Sequence, residues 1–263
     1  MIFDNLKDKM EYYRGLYDYK LIPGMYTLIM IDGHNFSRRV KNKFKKPFDP
    51  VFIKYMNEVA IRICQEFQGI KIAYTQSDEI SFLMTDFGGS DSAYGYRVCK
   101  LQSLIAAEAS GYFNYLVTKD LLETPCSLED LKSIYQDKFK AGPFTFDCKV
   151  WQVPGKGDVN GWFVYRQNDC IRNSVSQVAQ SYFSHKELLA VSTEEMKEKL
   201  ITEKGISWDI DFSGGMKYGR LIHKEDVTKY TPTGEPFTRG IWISHDLEEK
   251  FTDNLKQFIP DYV

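Results

Sequence analysis

The sequence predicts an α+β fold, and three observations predict it. An apolar run, MYTLIMID, ends on Asp32-Gly33 and is followed by a segment with helical periodicity. Next comes IKIAYTQSDEISFLMTDF, two apolar runs joined at Ser77-Asp78-Glu79, which reads as a hairpin. A second helical pattern then leads to an alternating strand, FTFDCKVWQVP. Strand, helix, two strands, helix, strand is the βαββαβ order of a ferredoxin-like sheet. After Pro154-Gly155 the chain changes character and reads as a helical extension with some β structure. The chain is expected to be one domain over residues 1–263, with its sheet core at about 20–155 and the extension at about 156–263.

Phe3, Leu6, Met10, Tyr13 and Leu16 recur at three and four, which predicts an amphipathic helix over Phe3 to Tyr17. Pro23-Gly24 breaks the chain before the first strand. Ser37 to Pro50 carries Arg38, Arg39, Lys41, Lys43, Lys45 and Lys46, and by charge alone it is a solvated loop. Phe52, Tyr55, Met56, Val59, Ile63 and Phe67 predict a helix from Val51 to Phe67, with Gly69 suited to its C-cap. As the crossover of a βαβ unit, this helix makes the first strand and Lys71 to Gln76 parallel neighbours or near neighbours. Gly88 to Asp91 reads as a loop. Arg97 to Lys119 is a second long helix, with Leu101, Leu104, Ile105, Glu108, Tyr112, Tyr115 and Leu116 as its stripe. A short helix comes next, near Leu128 to Tyr135. Pro143 opens the last core strand, where Phe144, Phe146, Cys148 and Val150 alternate with Thr145, Asp147, Lys149 and Trp151, so that one face is polar enough to border a site.

In the extension, Val159 to Phe183 reads as a long helix. Arg166, Asp169 and Asn173 are spaced three and four and share a face. That face could be merely solvated, but its many amides and arginines and few lysines favour a surface that contacts phosphate or RNA. Ser192 and Glu195 have capping-box spacing ahead of a helix to Leu200. From Gly205 onward, loops and short strands are expected, such as Arg220 to His223 and Arg239 to Ser244.

The chain of 263 residues is 43% hydrophobic, enough for a sizeable core. Its net charge of −2 means that a polynucleotide partner would have to meet a local patch. Five scattered cysteines show no CxxC or Cys-His spacing, so zinc is not expected, and they read as reduced packing residues of a cytoplasmic protein. No apolar run approaches the ~20 residues that span a bilayer, and the charged N-terminus lacks a signal core.

Chemistry is expected at Asp32 and Asp78. An acid at the rim of a core strand is costly unless a cation or donor meets it. Two such acids, joined through a helix crossover, suggest a Mg²⁺ site. The plainer reading is turn chemistry, since Asp-Gly and Ser-Asp-Glu are ordinary turn sequences. Gly33 beside the acid, in Asp32-Gly33-His34-Asn35-Phe36, lets backbone approach a phosphate.

IDGHNFSRRVKNKFKKPFD followed by YTQSDEISF resembles the tRNA-histidine guanylyltransferase family and its Thg1-like 3′-to-5′ polymerase branch. The likeness runs in order through FDCKVWQVP and VYRQNDCIRNS, from Met25 to about Ile222. It implies a polymerase-palm sheet and a catalytic site. Asp32 and Asp78 would be catalytic and would hold two Mg²⁺ ions, with the Gly33 carbonyl as a further ligand. His34, Asn35, Phe36, Ser37, Lys46 and Ser77 would bind the nucleotide, GTP, ATP or another NTP. Arg38, Arg39, Arg166, Arg172, Asn173 and Lys204 would meet RNA or phosphate. The family's Arg is His34 here and its His is Ser37, which bears on nucleotide preference. Its Lys-Pro also stands slightly farther from the Asp-Gly than Lys46-Pro47 does here.

Members that add guanylate to tRNA-His carry His-Ile-Asn-Asn after the Asp-Cys, whereas this chain has Asp169-Cys170-Ile171-Arg172-Asn173-Ser174. The Arg-Asn-Ser version is similar to the branch that repairs tRNA 5′ ends against the opposite strand. The resemblance therefore implies templated repair of tRNA first and tRNA-His guanylylation second, by a homotetramer, with no membrane involved. A palm-type nucleotide cyclase and a non-catalytic RNA-binding module are the alternatives of other classes. Activity on NTP alone would mark the cyclase, and the paired acids Asp32 and Asp78 argue against a pure binder.

Overall fold

The structure, a computed structural model, describes residues 3–40, 43–87 and 93–262. Lys41 of the basic segment and the expected loop from Gly88 to Asp91 lie outside the described residues. The N-terminal helix α1 (Leu6–Gly15) is capped by Asn5, whose side chain accepts the Asp8 amide. Its apolar stripe stays uncovered: Leu6 is 72% exposed and Met10 46%. The predicted helix therefore forms, but the expected burial of one face does not occur within the chain.

Strand β1 (Tyr26–Gly33) leads to a single turn, α2 (Phe36–Arg39), and then to α3 (Pro50–Glu66). Asp49 starts α3 by accepting the Val51 and Phe52 amides at 2.7 and 3.2 Å, with Pro50 in the first turn. The helix ends on extended Phe67 rather than on a glycine cap; Gly69, at φ +93°, makes the turn into the next strand. Strands β2 (Ile70–Gln76) and β3 (Glu79–Met84) form the predicted hairpin. Helix α4 (Val98–Leu122) and the short α5 (Leu128–Lys138) return the chain to β4 (Phe146–Val153).

The extension holds α6 (Lys156–Tyr182), α7 (Thr193–Lys204) with the Ser192/Glu195 capping box in place, and the single turns α8 (Trp208–Asp211) and α9 (Gly214–Tyr218). It also holds two long strands, β5 (Arg220–Tyr230) and β6 (Pro236–Asp246). These exceed the short strands expected there, and they join the palm sheet.

All six strands lie in one sheet, ordered β4-β1-β3-β2-β5-β6, with every neighbour antiparallel. β1 and β2 are near neighbours with β3 between them, as a ferredoxin-like crossover requires. Helices cover both faces. Ile29, Ile31, Ile80 and Phe82 pack toward α3 and α4, while Tyr26, Leu28, Tyr74 and Leu83 pack toward α6 and the C-terminal turn at Leu255. Double coverage explains why β1 reads as a continuous apolar run rather than an alternation.

The stripe of α4 differs from expectation. Leu101, Ile105, Ala109, Phe113, Leu116 and Val117 are buried, whereas Tyr115 is 55% exposed. Phe113 takes the buried place instead of Tyr115, because its ring closes an aromatic cluster with Phe36, Tyr55 and Phe144, while Tyr112 packs half-buried against the same core. The five cysteines are free. Cys64 and Cys170 are buried and Cys148 is half-buried, but Cys99 and Cys126 are exposed and so are not packing residues. No helix among the described residues is long and apolar enough to cross a membrane.

Candidate active site

Three strand ends meet at one edge of the sheet: the end of β1, the β2–β3 turn at Ser77-Asp78, and the start of β4. Backbone bonds fix them together. The Gly33 amide donates to the Asp78 carbonyl at 3.1 Å, and the His34 amide to the Thr145 carbonyl at 2.8 Å. Asp32 stands opposite Glu79 on β3 and opposite Asp147 on β4. Ladder partners share a face, so three carboxylates crowd one side of the sheet end. The β1–β3 register brings Glu79 onto the face of Asp32.

Asp78 comes from the turn and is held by Ser77, whose hydroxyl donates to Asp78 Oδ1 at 2.8 Å from a left-handed backbone at φ +47°. A Cβ at Gly33 would stand 2.4 Å from the Phe36 ring and 2.8 Å from Asp78 Oδ2. Glycine is thus required for the Asp78 carboxylate to come this close to β1.

The electrostatics arise from this crowding. Burial raises the pKa of Asp32 above the usual carboxylate range, and the charges of Asp78 and Asp147 add to it; the Gly33 amide and Lys149 pull the other way. Burial also raises Asp78, against hydrogen bonds from Ser77 and its own amide. Among the described residues neither acid has a salt-bridge partner. Glu79 differs. Its carboxylate takes both Arg166 Nε at 2.7 Å and Arg166 Nη2 at 2.6 Å. Burial still pushes Glu79 up, against the pull of that guanidinium. Arg166 Nη1 reaches Asp169 Oδ2 at 2.5 Å, and Arg172 also donates to Asp169.

Beside the strand ends lies a cavity of about 330 Å³. Its floor is aromatic, from Phe36, Phe44, Phe48 and Phe52, and its polar rim carries Ser37, Lys45, Lys46, Ser77, Asp78 and Asn173. The predicted residues Ser37, Lys46, Ser77, Asp78 and Asn173 are therefore brought together. Phe36 lines the cavity, but its ring is 2% exposed and belongs to the core. Asn35, left-handed at φ +55°, shares a 2.9 Å hydrogen bond with the His34 ring at the solvent edge.

Other predicted residues lie differently. Arg166 is 13% exposed and committed to Glu79 and Asp169, so it supports the site instead of offering a free cation to RNA. Glu79 needed a counter-charge, and Arg166 supplies it. Arg39 donates to the Thr145 hydroxyl. Arg38, Arg172 and Lys204 are exposed and outside the cavity, with the Lys204 ammonium 5.1 Å over the Phe183 ring.

Sequence reasoning missed Arg220 as a site residue. It is 7% exposed, lines the cavity and pairs with Asp246 at 2.8 Å. Only the β2–β5 register, Thr75 with Arg220, brings it there. Asp147 carried a partial signal, as part of the polar face of its strand.

The donor set suits a hard divalent cation: two carboxylates at adjoining strand ends, and no salt-bridged cation among the described residues already neutralising them. The chain also has clear relatives among known proteins. The profile of the family described as "Thg1: tRNAHis guanylyltransferase" matches residues 7–154. The tRNA(His) guanylyltransferase of Debaryomyces hansenii is 28% identical over 222 residues, covering 80% of this chain and 77% of that protein. A bacterial tRNA(His) guanylyltransferase (Thg1)-like protein in complex with ATP superposes with a TM-score of 0.77 at 29% identity, covering 97% of this chain and 99% of the other. A bacterial protein of the same description in complex with GTP gives 0.73 at 27% identity, with the same coverage. With the strand-end acids, the cavity beside them and more than half of the chain matched by the profile, the chain belongs to the tRNA(His) guanylyltransferase (Thg1) family of nucleotidyltransferases.

Proposed function

We propose that this protein is a template-dependent 3′-to-5′ nucleotidyltransferase that adds NTPs to the 5′ end of tRNA. The observation that carries the reading is the cavity that joins Ser37, Lys46, Ser77 and Asn173 to Asp78 at the strand ends. Its lining includes both cations, Lys45 and Lys46, and acids, Asp49 and Asp78. Relatives bound to ATP and to GTP support the choice of nucleotide.

In this reading Asp32 and Asp78, with the Gly33 carbonyl, hold two Mg²⁺ ions. Such ions stabilise charge on attacking and leaving oxygens during phosphoryl transfer. The backbone from His34 to Ser37, the Ser77 hydroxyl and Lys46 hold the incoming triphosphate. The 3′-OH of that nucleotide attacks the α-phosphorus of an activated tRNA 5′ end, either a triphosphate or an adenylylated end made with ATP. Pyrophosphate or AMP leaves, and the new 5′ end carries the incoming triphosphate. Arg38, Arg172, Asn173 and Lys204 meet RNA phosphates. Arg166 keeps Glu79 neutralised and so braces β3 beside Asp78. The whole chain of 263 residues acts as one catalytic unit in the cytoplasm, as a homotetramer for which the uncovered stripe of α1 is a candidate contact face.

Cys170-Ile171-Arg172-Asn173 replaces the His-bearing motif, and Cys170 is buried, with its thiol toward the Lys217 carbonyl at 3.6 Å. Without that His, base pairing with the facing strand should choose the nucleotide, because a wrong pair loses hydrogen bonds in a desolvated site. The test incubates protein, Mg²⁺, ATP and all four NTPs with tRNAs truncated by one 5′ nucleotide, differing only in the facing base. C should call for G and A for U, with little dependence on the anticodon. The second reading, tRNA-His guanylylation, is favoured by the description of the D. hansenii relative. Addition of G alone, whatever it faces and only to tRNA-His, would establish it instead.

A further inference from the structure

β5 and β6 part from the rest of the sheet at one point. β5 pairs with β2 only from Arg220 to His223. Beyond His223 the two strands run on alone as a ribbon, until Tyr230 pairs with Pro236. A two-stranded ribbon is marginal by itself in water. Three side chains converge where the ribbon departs: His223, Glu225 and His245.

The register explains the convergence. His245 pairs with Leu221 and His223 pairs with Ile243, so the two histidines are diagonal neighbours on one face. Glu225 stands two residues after His223 and shares that face. The imidazoles stack at 4.9 Å with their planes 18° apart. Each turns Nε2 to the same carboxylate oxygen, Glu225 Oε1, at 2.6 Å from His245 and 3.5 Å from His223. The three ligand atoms lie within 4.8 Å of one another. Phe258 backs the His223 ring at 4.7 Å. A simple ion pair needs one histidine; here two present the same nitrogen to one carboxylate, from a backbone ladder that fixes their spacing.

We propose that His223, Glu225 and His245 bind a Zn²⁺-type transition-metal ion that clamps β5 to β6 where they leave the sheet. The donor chemistry separates this site from the strand-end acids. Two imidazoles and a carboxylate suit Zn²⁺, whereas an all-oxygen set suits Mg²⁺. Three protein ligands leave a position for water. His245 and Glu225 are 44% and 38% exposed, which gives the ion a way in.

Full-length protein is stripped with EDTA and titrated with Zn²⁺ and, separately, with Co²⁺. The expected result is one Zn²⁺ per chain and visible Co²⁺ d–d bands, with a Zn²⁺-dependent rise in Tm. His223→Ala, His245→Ala and Glu225→Gln should each weaken Zn²⁺ binding by more than about tenfold, since even residues that only orient metal ligands cost about that much. They should also abolish the Tm response. Glu225→Gln preserves the shape of the face and carries the test should a histidine variant fail to fold. An Asp32→Ala/Asp78→Ala double variant should keep the Zn²⁺. No Zn²⁺ binding by the native chain would overturn the proposal, as would Zn²⁺ lost from the aspartate variant and kept by the histidine ones.

Discussion

Asp78 sits in a turn, half-buried and without a basic partner among the described residues; burial raises its pKa, and its charge adds to the burial that raises Asp32. A carboxylate kept in such a place is expected to lower stability until a cation arrives. Two outcomes are expected at one position. Asp78→Ala, like Asp32→Ala, should lower nucleotide addition on the order of a thousandfold or more, because a divalent ion contributes several kcal/mol in the transition state. Asp78→Asn should be equally inactive, yet in EDTA at neutral pH its Tm should exceed that of the native chain by a few degrees. Added Mg²⁺ should then raise the native Tm and leave that of the variant unchanged. Near-normal turnover in both Ala variants would remove the acids from the mechanism. These acids were legible in the sequence because Asp32 closes a strongly apolar run and Asp78 stands in the turn that joins two more. Their third neighbour, Asp147, was legible only as part of a polar strand face, because the β1–β4 register alone sets it opposite Asp32.

At the scale of elements, α6 is tied to β3 by the doubly hydrogen-bonded Arg166–Glu79 pair, with exposures of 13% and 9%. Breaking one partner of a buried pair leaves an uncompensated charge, which costs about 3–5 kcal/mol. Arg166→Ala should therefore destabilise the fold by that order in denaturant unfolding, and Arg166→Ala/Glu79→Gln should recover much of it. If both variants unfold at the native midpoint, the pair is ornamental and the solvated-face reading of α6 stands. This tie was not legible: spacing grouped Arg166 with Asp169 and Asn173, but a contact across 87 positions leaves no local trace. The β2–β3 hairpin was legible, since two apolar runs flank Ser77-Asp78. The lengths of β5 and β6 were not, because KEDVTKYTPTGEPFTRG forms an exposed ribbon with little apolar alternation to read. On α4, periodicity set Tyr115 in the stripe, and the aromatic cluster around Phe36 gives the buried place to Phe113.

Across the whole molecule, the net charge of −2 excludes general attraction to RNA, so any tRNA affinity must come from a few placed cations. The described candidates fall into two groups. Lys45 and Lys46 stand at the cavity, within reach of a nucleotide triphosphate. Arg38, Arg172 and Lys204 are exposed outside it, where a polynucleotide backbone could run. The two groups should separate in experiment. Lys46→Ala should raise the KM for NTP and leave tRNA binding nearly unchanged. Arg38→Ala and Lys204→Ala should weaken tRNA binding without changing the KM for NTP. The logarithm of tRNA affinity should fall linearly with the logarithm of salt concentration, because each neutralised phosphate releases counterions. Each of these two outer substitutions should reduce the magnitude of that slope by about 1. Arg172 is already paired with Asp169, so its removal should change the slope less. Affinity that stays flat from low to moderate salt would mean that these cations form an ordinary solvated surface, and the tRNA would then have to be held by the cavity and the strand ends alone.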